Sequence, residues 1–518
     1  MKVLLIASAA YVTSELGAEF GDLPPAFLPV GGQRLFAHQA HALAADYDLT
    51  VLSLPESFEL DVADAAALDA LGLQIRRTPD RLSFKTSLDL VLEDQNWTQL
   101  DILYGDTLVA IPPMAQGQTD WLMLGYTDNH YTWHDVDQQA GARKLVWCGM
   151  FSFGSVKDLR ECLALAENFD NAVNLYGERK DLSRPVCDDW LDFGHIHTFY
   201  VSKRIITTER HFNHLQISKN IVTKKSQHLS KMAAESRWFE DLPDHLRPFT
   251  PNYCGAVREA DGQATGYRTE YLGLPTLSEL FTFGRLPAYS WSPIFESIHE
   301  FIQACIDSPT EATTSPKQSL FDANLYRDKT LARTDEYCRT THFDPNRAFR
   351  LNGISMPSMA RILDEAASHI ERQAPVFSPL VHGDLCFSNV LYDFRMSRIK
   401  VIDPRGATAT GRLSGDLRYD IAKLTHSAIG YYDLILAKRY ELKGDQYDAE
   451  LNFHCQQQAP IAELLLETRL LGKPVRDWDC HPVMVLLFLS MLPLHSDRPG
   501  RQQAMLANAF RIYKDWTT

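Results

Sequence analysis

The chain has no run of five basic residues, no CxxC pair, no GxGxxG segment and no apolar stretch of membrane-spanning length. The missing GxGxxG segment decides nothing, but the other absences each remove a class of function. Nucleic acid and anionic membranes are held largely by clustered positive charge. Here 51 Lys and Arg stand against 66 Asp and Glu, a net charge of −15, so neither is expected as a partner. The nine cysteines follow no metal or disulfide spacing, which argues against a zinc site or disulfide framework and fits a reducing cytoplasm. The apolar run at 482–494, PVMVLLFLSMLPL, falls short of the ~20 residues hydrocarbon requires and reads as a buried helix. The opening MKVLLIASAA looks superficially like a secretory signal but reads better as a buried first strand.

What is present is ordinary globular material: 45% hydrophobic, 11% aromatic and 23% charged. At 518 residues the chain is too long for one core, so two or three domains are expected. No internal repeat stands out. Apolar runs VLLIAS (3–8), LTVLSL (49–54), LDILYGD (100–106) and KLVWCGMFSF (144–153) alternate with helical patterns LFAHQAHALAA (35–45), DAAALDALG and VKDLRECLALAEN. That alternation predicts a mainly parallel sheet covered on both faces, a doubly wound α/β domain. From about 205 the pattern changes. HLQISKN and NIVTKKS read as paired strands, SKMAAESRWFEDL as a helix and TGYRTEYLGL as a further strand. After about 286 the chain reads as mostly helical apart from VLYD and RIKVIDP, and DSPTEATTSPKQS (307–319) as a mobile loop or insertion.

The most specific segment is LVHGDLCFSNVLYD (380–393), followed by IKVIDPRG (399–406). Phosphoryl transfer needs a carboxylate to align the attacking hydroxyl, with an amide oxygen and a second carboxylate to hold Mg²⁺ against the nucleotide phosphates. Asp384, Asn389 and Asp403 supply these types at the spacing of an HxDxxxxN catalytic loop. With HGD, IDP and the downstream GDLRYDIAKL (415–424), the segment resembles the aminoglycoside phosphotransferase and choline kinase superfamily of small-molecule kinases. The resemblance implies Asp384 as the catalytic carboxylate, Asn389 and Asp403 as Mg²⁺ ligands, and ATP or GTP as donor. It also implies an upstream phosphate-contacting lysine paired with a helix glutamate: Lys225 with Glu235, Lys224 being the competing choice because strand alternation turns only one of them inward. TEYLGLPTLSEL (269–280) resembles the hinge of these enzymes, with backbone groups of Glu270, Tyr271 and Leu272 meeting the base, and small-molecule kinases often lack a GxGxxG segment. His382 reads as a structural residue of the loop. Arg405, Asp416, Asp420 and Lys423 are either scaffold ion pairs or substrate contacts, and Arg498, near Trp478, His495 and Asp497, is a candidate clamp for an anionic acceptor.

GDLPPAFLPVGGQRLFAHQ (21–39), LYGDTLV (103–109) and WLDFGHIHTFY (190–200) resemble segments of the sugar nucleotidyltransferases. The resemblance implies Asp106 and Asp192 as metal carboxylates beside a nucleoside triphosphate. Ala7, Ser8, Ala9 and Ala10 stand where that family has GxGxR, and Pro25 stands for its lysine. Arg34, Arg179 and Lys180 are possible substitute cations, while His195 and His197 are metal or substrate contacts or structural residues. Three readings stay open: an altered nucleotidyltransferase, a pseudoenzyme that keeps a nucleotide or sugar-phosphate site, and a related metal-dependent activity.

Together the resemblances imply a Rossmann-like, GT-A-like nucleotidyltransferase-like domain over 1–205, then an α+β bilobal kinase-like domain. Its small ATP-binding lobe is expected over 206–285, and its larger, mainly helical lobe with the catalytic loop over 286–518. The implied activity is ATP- and Mg²⁺-dependent phosphorylation of a small sugar, alcohol or amino alcohol. Fusions of this kind resemble those of bacterial capsule and surface-glycan pathways. The alternatives are a nucleotidyltransferase-led enzyme making a nucleotide-activated precursor, and a regulatory protein that binds nucleotide without turnover.

Overall fold

A computed structural model describes residues 1–111, 115, 117–127, 144–206, 214–218, 220–259, 262, 264–309, 325–406 and 414–518. The chain divides into two compact units, Met1–Thr208 with Phe283–Arg285, and Glu209–Thr282 with Leu286–Thr518. The stretches expected as small and large lobes thus share one unit, apart from Phe283–Arg285. The loop expected at 307–319 lies, from 310 onward, outside the described residues.

The first unit is built on strands β1 (Lys2–Ala7), β2 (Leu49–Pro55), β3 (Leu73–Thr78), β4 (Gln99–Tyr104), β5 (Trp121–Thr127), β6 (Lys144–Phe153) and β7 (Val186–Cys187). Their order is β7-β5-β6-β4-β1-β2-β3. Strands β4, β1, β2 and β3 run parallel, as the strand–helix alternation predicts. The sheet is nevertheless mixed. Strand β6 is antiparallel to both β4 and β5. Val3 through Ile6 are almost fully buried, which explains the unbroken apolar run that resembled a signal. Asp61, Ser83 and Ser155 cap the helices Val62–Ala70, Phe84–Leu92 and Val156–Leu165, each side chain accepting a backbone N–H three residues on.

In the second unit β8 (His214–Ser218), β9 (Ile221–Lys225), β10 (Tyr253–Arg258) and β11 (Ala264–Glu270) form an antiparallel sheet in the order β8-β9-β11-β10. Helix Leu229–Glu240 packs on this sheet, with Trp238 and Phe239 buried. Downstream lie β12 (Ala348–Leu351), β13 (Ile354–Ser358), β14 (Val390–Asp393), β15 (Arg398–Val401), β16 (Tyr440–Gly444) and β17 (Asp448–Phe453). The region after 286 is mainly helical, but the expectation that VLYD and RIKVIDP are its only strands is corrected: β13-β12-β17-β16 is a further, four-stranded sheet. Its strands are short and half polar, but one signal was there. Asn352-Gly353, at φ of 49° and 77°, is a two-residue hairpin turn of the kind that demands positive φ at both positions. Helix Cys480–Met491 is buried at every position but His481, as its apolar run predicts. Among the described residues no helix is long and apolar enough to cross a membrane.

Candidate active site

The second unit assembles its polar centre on the ribbon β14–β15. Val390 pairs with Val401, so Asn389 and Asp403 leave the same end, and Ile402 donates its N–H to Asn389 O at 2.9 Å. Asn389 Nδ2 donates to the backbone O of Asp384 at 2.9 Å. Its Oδ1 is buried and has no hydrogen-bond partner, a costly condition for an amide oxygen unless a cation or water satisfies it. Asp403 sits at φ 55° with Oδ1 3.0 Å from Lys224 Nζ. A free amide oxygen beside a carboxylate is a hard-oxygen donor set that fits Mg²⁺. Among the described residues no group of three or more His, Cys, Asp or Glu could hold a metal. An ion here would complete its shell with water and phosphate, as Mg²⁺ commonly does.

His382 locks the loop. Burial pushes it down to about 4, so it is neutral near pH 7. Nε2–H donates to Ile402 O at 3.0 Å, and Nδ1 accepts the Asp384 N–H at 3.3 Å. From helix Leu417–Ala428, Asp420 accepts the N–H groups of His382 and Gly383, each at 2.7 Å, while burial pushes it up to about 7. One turn further on, Lys423 places Nζ 2.8 Å from Asp384 Oδ1. Desolvation alone would raise Asp384, but the Lys423 ammonium outweighs it and holds the carboxyl well below the usual range. Asp416 belongs to the scaffold: it caps the same helix and pairs with Arg418 at 2.6 Å.

The expected pairing of Lys225 with Glu235 is corrected by the strand. In β9, Lys224 lies opposite Tyr267 of β11 and points inward, 4% exposed, while Lys225 points out. Successive strand side chains face opposite ways, so only one lysine can enter. Lys224 Nζ lies 2.7 Å from Glu235 Oε2, which also accepts from Tyr267 Oη at 3.0 Å. Gly406 brings the loop after Asp403 against the helix that carries Glu235: a Cβ there would come within 2.3 Å of the Ala234 carbonyl carbon.

Of the expected hinge groups, Glu270 N–H is taken by Asn252 O and Tyr271 N–H by Asn220 O, at 2.9 and 2.7 Å. Among the described residues the Leu272 N–H has no backbone partner. Arg498 is also corrected. It is exposed and lines an open groove with Lys438, Lys443 and Arg501, and no contact among the described residues brings it to Asp384. Trp478 is core, and His495 is pushed down to about 4 by burial. Arg405, by contrast, lies two residues after Asp403 and donates its N–H to His382 O at 2.9 Å.

In the first unit Asp106 and Asp192 are brought together by the short ribbon Thr107–Leu108 and Leu191–Asp192, with Thr107 opposite Asp192. Gly194 permits the approach: a Cβ there would lie 2.5 Å from Asp106 Oδ2 and 3.3 Å from Asp192 Oδ1. Burial, and next the neighbouring Asp192, push Asp106 up to about 7. Two adjacent carboxylates of this kind fit a divalent cation. The expected substitute cations are engaged elsewhere. Arg34 is buried in an ion pair with Asp64 at 2.7 Å and donates to Phe27 O and Phe283 O. Arg179 and Lys180 pair with Glu161 and Asp158 at the surface. His195 caps helix Ile196–Lys203.

No protein-family model matches the chain, and no curated protein matches it. It is similar to the solved structure of a nucleoside-diphosphate-sugar pyrophosphorylase from Vibrio cholerae RC9, at 14% identity over 39% of this chain and 99% of that one, with a TM-score of 0.33. HddC from Yersinia pseudotuberculosis matches at 12% identity over 40% and 100% of the two chains, with a TM-score of 0.32. An inositol-1-phosphate CTP transferase from T. maritima matches at 14% identity over 40% and 96%, with a TM-score of 0.28.

Proposed function

We propose that the second unit is an ATP- and Mg²⁺-dependent phosphotransferase acting on a hydroxyl of a small molecule, and that the first is nucleotidyltransferase-like. The observation that carries the reading is the convergence of Asp384, Asn389, Asp403, Lys224 and Glu235 from four separate stretches of one unit. Asp384, fixed by Lys423 and by its own N–H on His382, aligns the acceptor hydroxyl and takes its proton as the new bond forms. Lys224, held by Glu235, reaches the donor phosphates, and Leu272 N–H meets the base. When bound, Mg²⁺ between Asn389 and Asp403 supplies charge neutralisation at the phosphate oxygens. Nine unpaired cysteines accord with a cytoplasmic site of action. The resemblances of the two halves extend the reading to bacterial surface-polysaccharide assembly.

The test is Mg²⁺-dependent consumption of ATP and GTP by the full chain with pooled alcohols, amino alcohols and sugars, for wild type and Asp384→Asn. Phosphorylated product lost in the variant supports the reading. Equal turnover in both overturns it. A second reading, a nucleotidyltransferase-led enzyme, rests on the Asp106–Asp192 pair. It predicts pyrophosphate release that Asp106→Asn abolishes and Asp384→Asn spares.

A further inference from the structure

Beside Asp384 stands a group of cations that phosphate transfer from ATP does not by itself call for. Helix Arg327–Thr341 carries Lys329 and Arg333 one turn apart, on one face. Lys329 Nζ donates to Tyr419 Oη at 3.1 Å and lies 5.6 Å from the centre of that ring. Arg405 approaches the same ring, at 5.9 Å, from the loop that follows Asp403. Tyr419 itself is buried on the helix that supplies Asp420 and Lys423. Arg333 donates to Ser490 O at 2.9 Å. Among the described residues, none of Lys329, Arg333 and Arg405 has a carboxylate within ion-pair distance, and the carboxylate that meets Lys423 is Asp384.

Burial, with repulsion from Arg405 and Lys423, depresses Lys329, and these three cations together lower the Tyr419 hydroxyl in spite of its burial. Clustered, partly desolvated like charges are unfavourable when nothing neutralises them. Their cost is offset when a ligand brings the opposite charge, and the cluster adjoins Asp384: Lys423, one turn beyond Tyr419, meets that carboxylate at 2.8 Å, and the Lys329 charge acts on it as well. A cationic amino alcohol would meet repulsion from Lys329 and Arg405 there.

We propose that the phosphoryl acceptor is a hydroxyl compound bearing an anionic group, a carboxylate or a phosphate ester, which Lys329 and Arg405 bind while its hydroxyl faces Asp384. This rests on the phosphotransferase reading above and narrows it. In the step, the acceptor oxygen forms a bond to the γ-phosphorus and the bond from that phosphorus to the β–γ bridging oxygen breaks. The bridging oxygen leaves with the electron pair as nucleoside diphosphate, and the hydroxyl proton passes to Asp384.

The test offers the full chain, with Mg²⁺ and ATP, four primary alcohols that differ in charge: glycerol 3-phosphate, glycerate, glycerol and ethanolamine. Phosphorylated product is measured directly and binding by calorimetry with Mg²⁺ and ADP. An anionic probe is expected to exceed glycerol in kcat/KM by about tenfold or more, the scale of one charge-assisted contact. Lys329→Met and Arg405→Met should each raise its KM by about tenfold, and Lys329→Arg should restore it. Which of the two anions is preferred separates phosphate from carboxylate recognition. Preference for glycerol or ethanolamine overturns the proposal, as does anion binding that both variants leave unchanged or an absence of anion binding. If an anion binds, the variants abolish that binding and no probe is phosphorylated, the anion site stands and the phosphotransferase reading falls.

Discussion

Lys423 Nζ lies 2.8 Å from Asp384 Oδ1, and both side chains hang from elements tied together by Asp420, which holds the His382 and Gly383 N–H groups. The pair keeps Asp384 ionised and aimed while leaving it a weak base, suited to aligning a hydroxyl rather than stripping it early. Lys423→Met is expected to cost about a hundredfold in kcat, the size of one acid–base contribution. It should also bring an acid limb into the pH–rate profile, because Asp384 rises once the neighbouring ammonium is gone. A uniform loss at every pH would make Lys423 merely structural.

Lys224 and Lys225 differ by one position in β9 and should differ widely in effect. Lys224→Met leaves Glu235 buried without its ammonium, a loss of about 3–5 kcal/mol, and should lower the thermal midpoint and weaken ATP binding together. Lys225→Met, at an exposed site, should leave the thermal midpoint nearly unchanged and ATP affinity within about twofold. Equal effects of the two variants in nucleotide titrations would reverse the assignment.

His382 has a folded-state value of about 4 against its ordinary 6.5. Between those values the unfolded chain binds a proton that the folded chain refuses, so this contribution is complete above 6.5 and is lost as pH falls toward 4. It amounts to about 3 kcal/mol. Asp420, raised from 3.8 to about 7, works in the opposite sense: its contribution is complete below 3.8 and is lost as pH rises through 7. Comparison with His382→Gln isolates the first term. The stability advantage of wild type over the variant should widen from pH 4 to 6.5 in denaturant melts, and a constant gap refutes it.

Mg²⁺ should stabilise the first unit by about 2.7 kcal/mol at a hundredfold excess over its Kd. Binding requires Asp106 to lose its proton, so affinity should fall by about tenfold per pH unit below 7. Asp106→Asn removes the repulsion with Asp192, so it should raise the metal-free thermal midpoint and abolish the Mg²⁺ shift. A shift that survives in the variant places the ion elsewhere.

Local chemistry made much of this legible in advance. Asp384, Asn389 and Asp403 lie within one short stretch, and a loop followed by a two-stranded ribbon can bring them to one end however the rest of the chain folds. The strand–helix alternation of the first unit was readable because strands buried on both faces must be apolar throughout. The antiparallel entry of β6 was not, because strand direction depends on how the chain returns. The sheet β13-β12-β17-β16 escaped because its strands are short and half polar, although its Asn352-Gly353 turn was in view.

By itself the amino-acid sequence determined which groups were available: the three residues of the HGD and IDP segments, a lysine on β9, a glutamate on the following helix and two aspartates near strand ends. Tertiary structure alone decided which of them meet. The pairing of β9 with β11 chose Lys224 over Lys225. The packing around helix Leu417–Ala428 turned Lys423 onto Asp384 and made Asp420 the clamp of the loop. It also set Lys329, from a helix far upstream, beside the same aromatic ring as Arg405. The physical reason is that charge interactions fall off over a few ångströms, so they depend on separation in space, which distance along the chain does not determine.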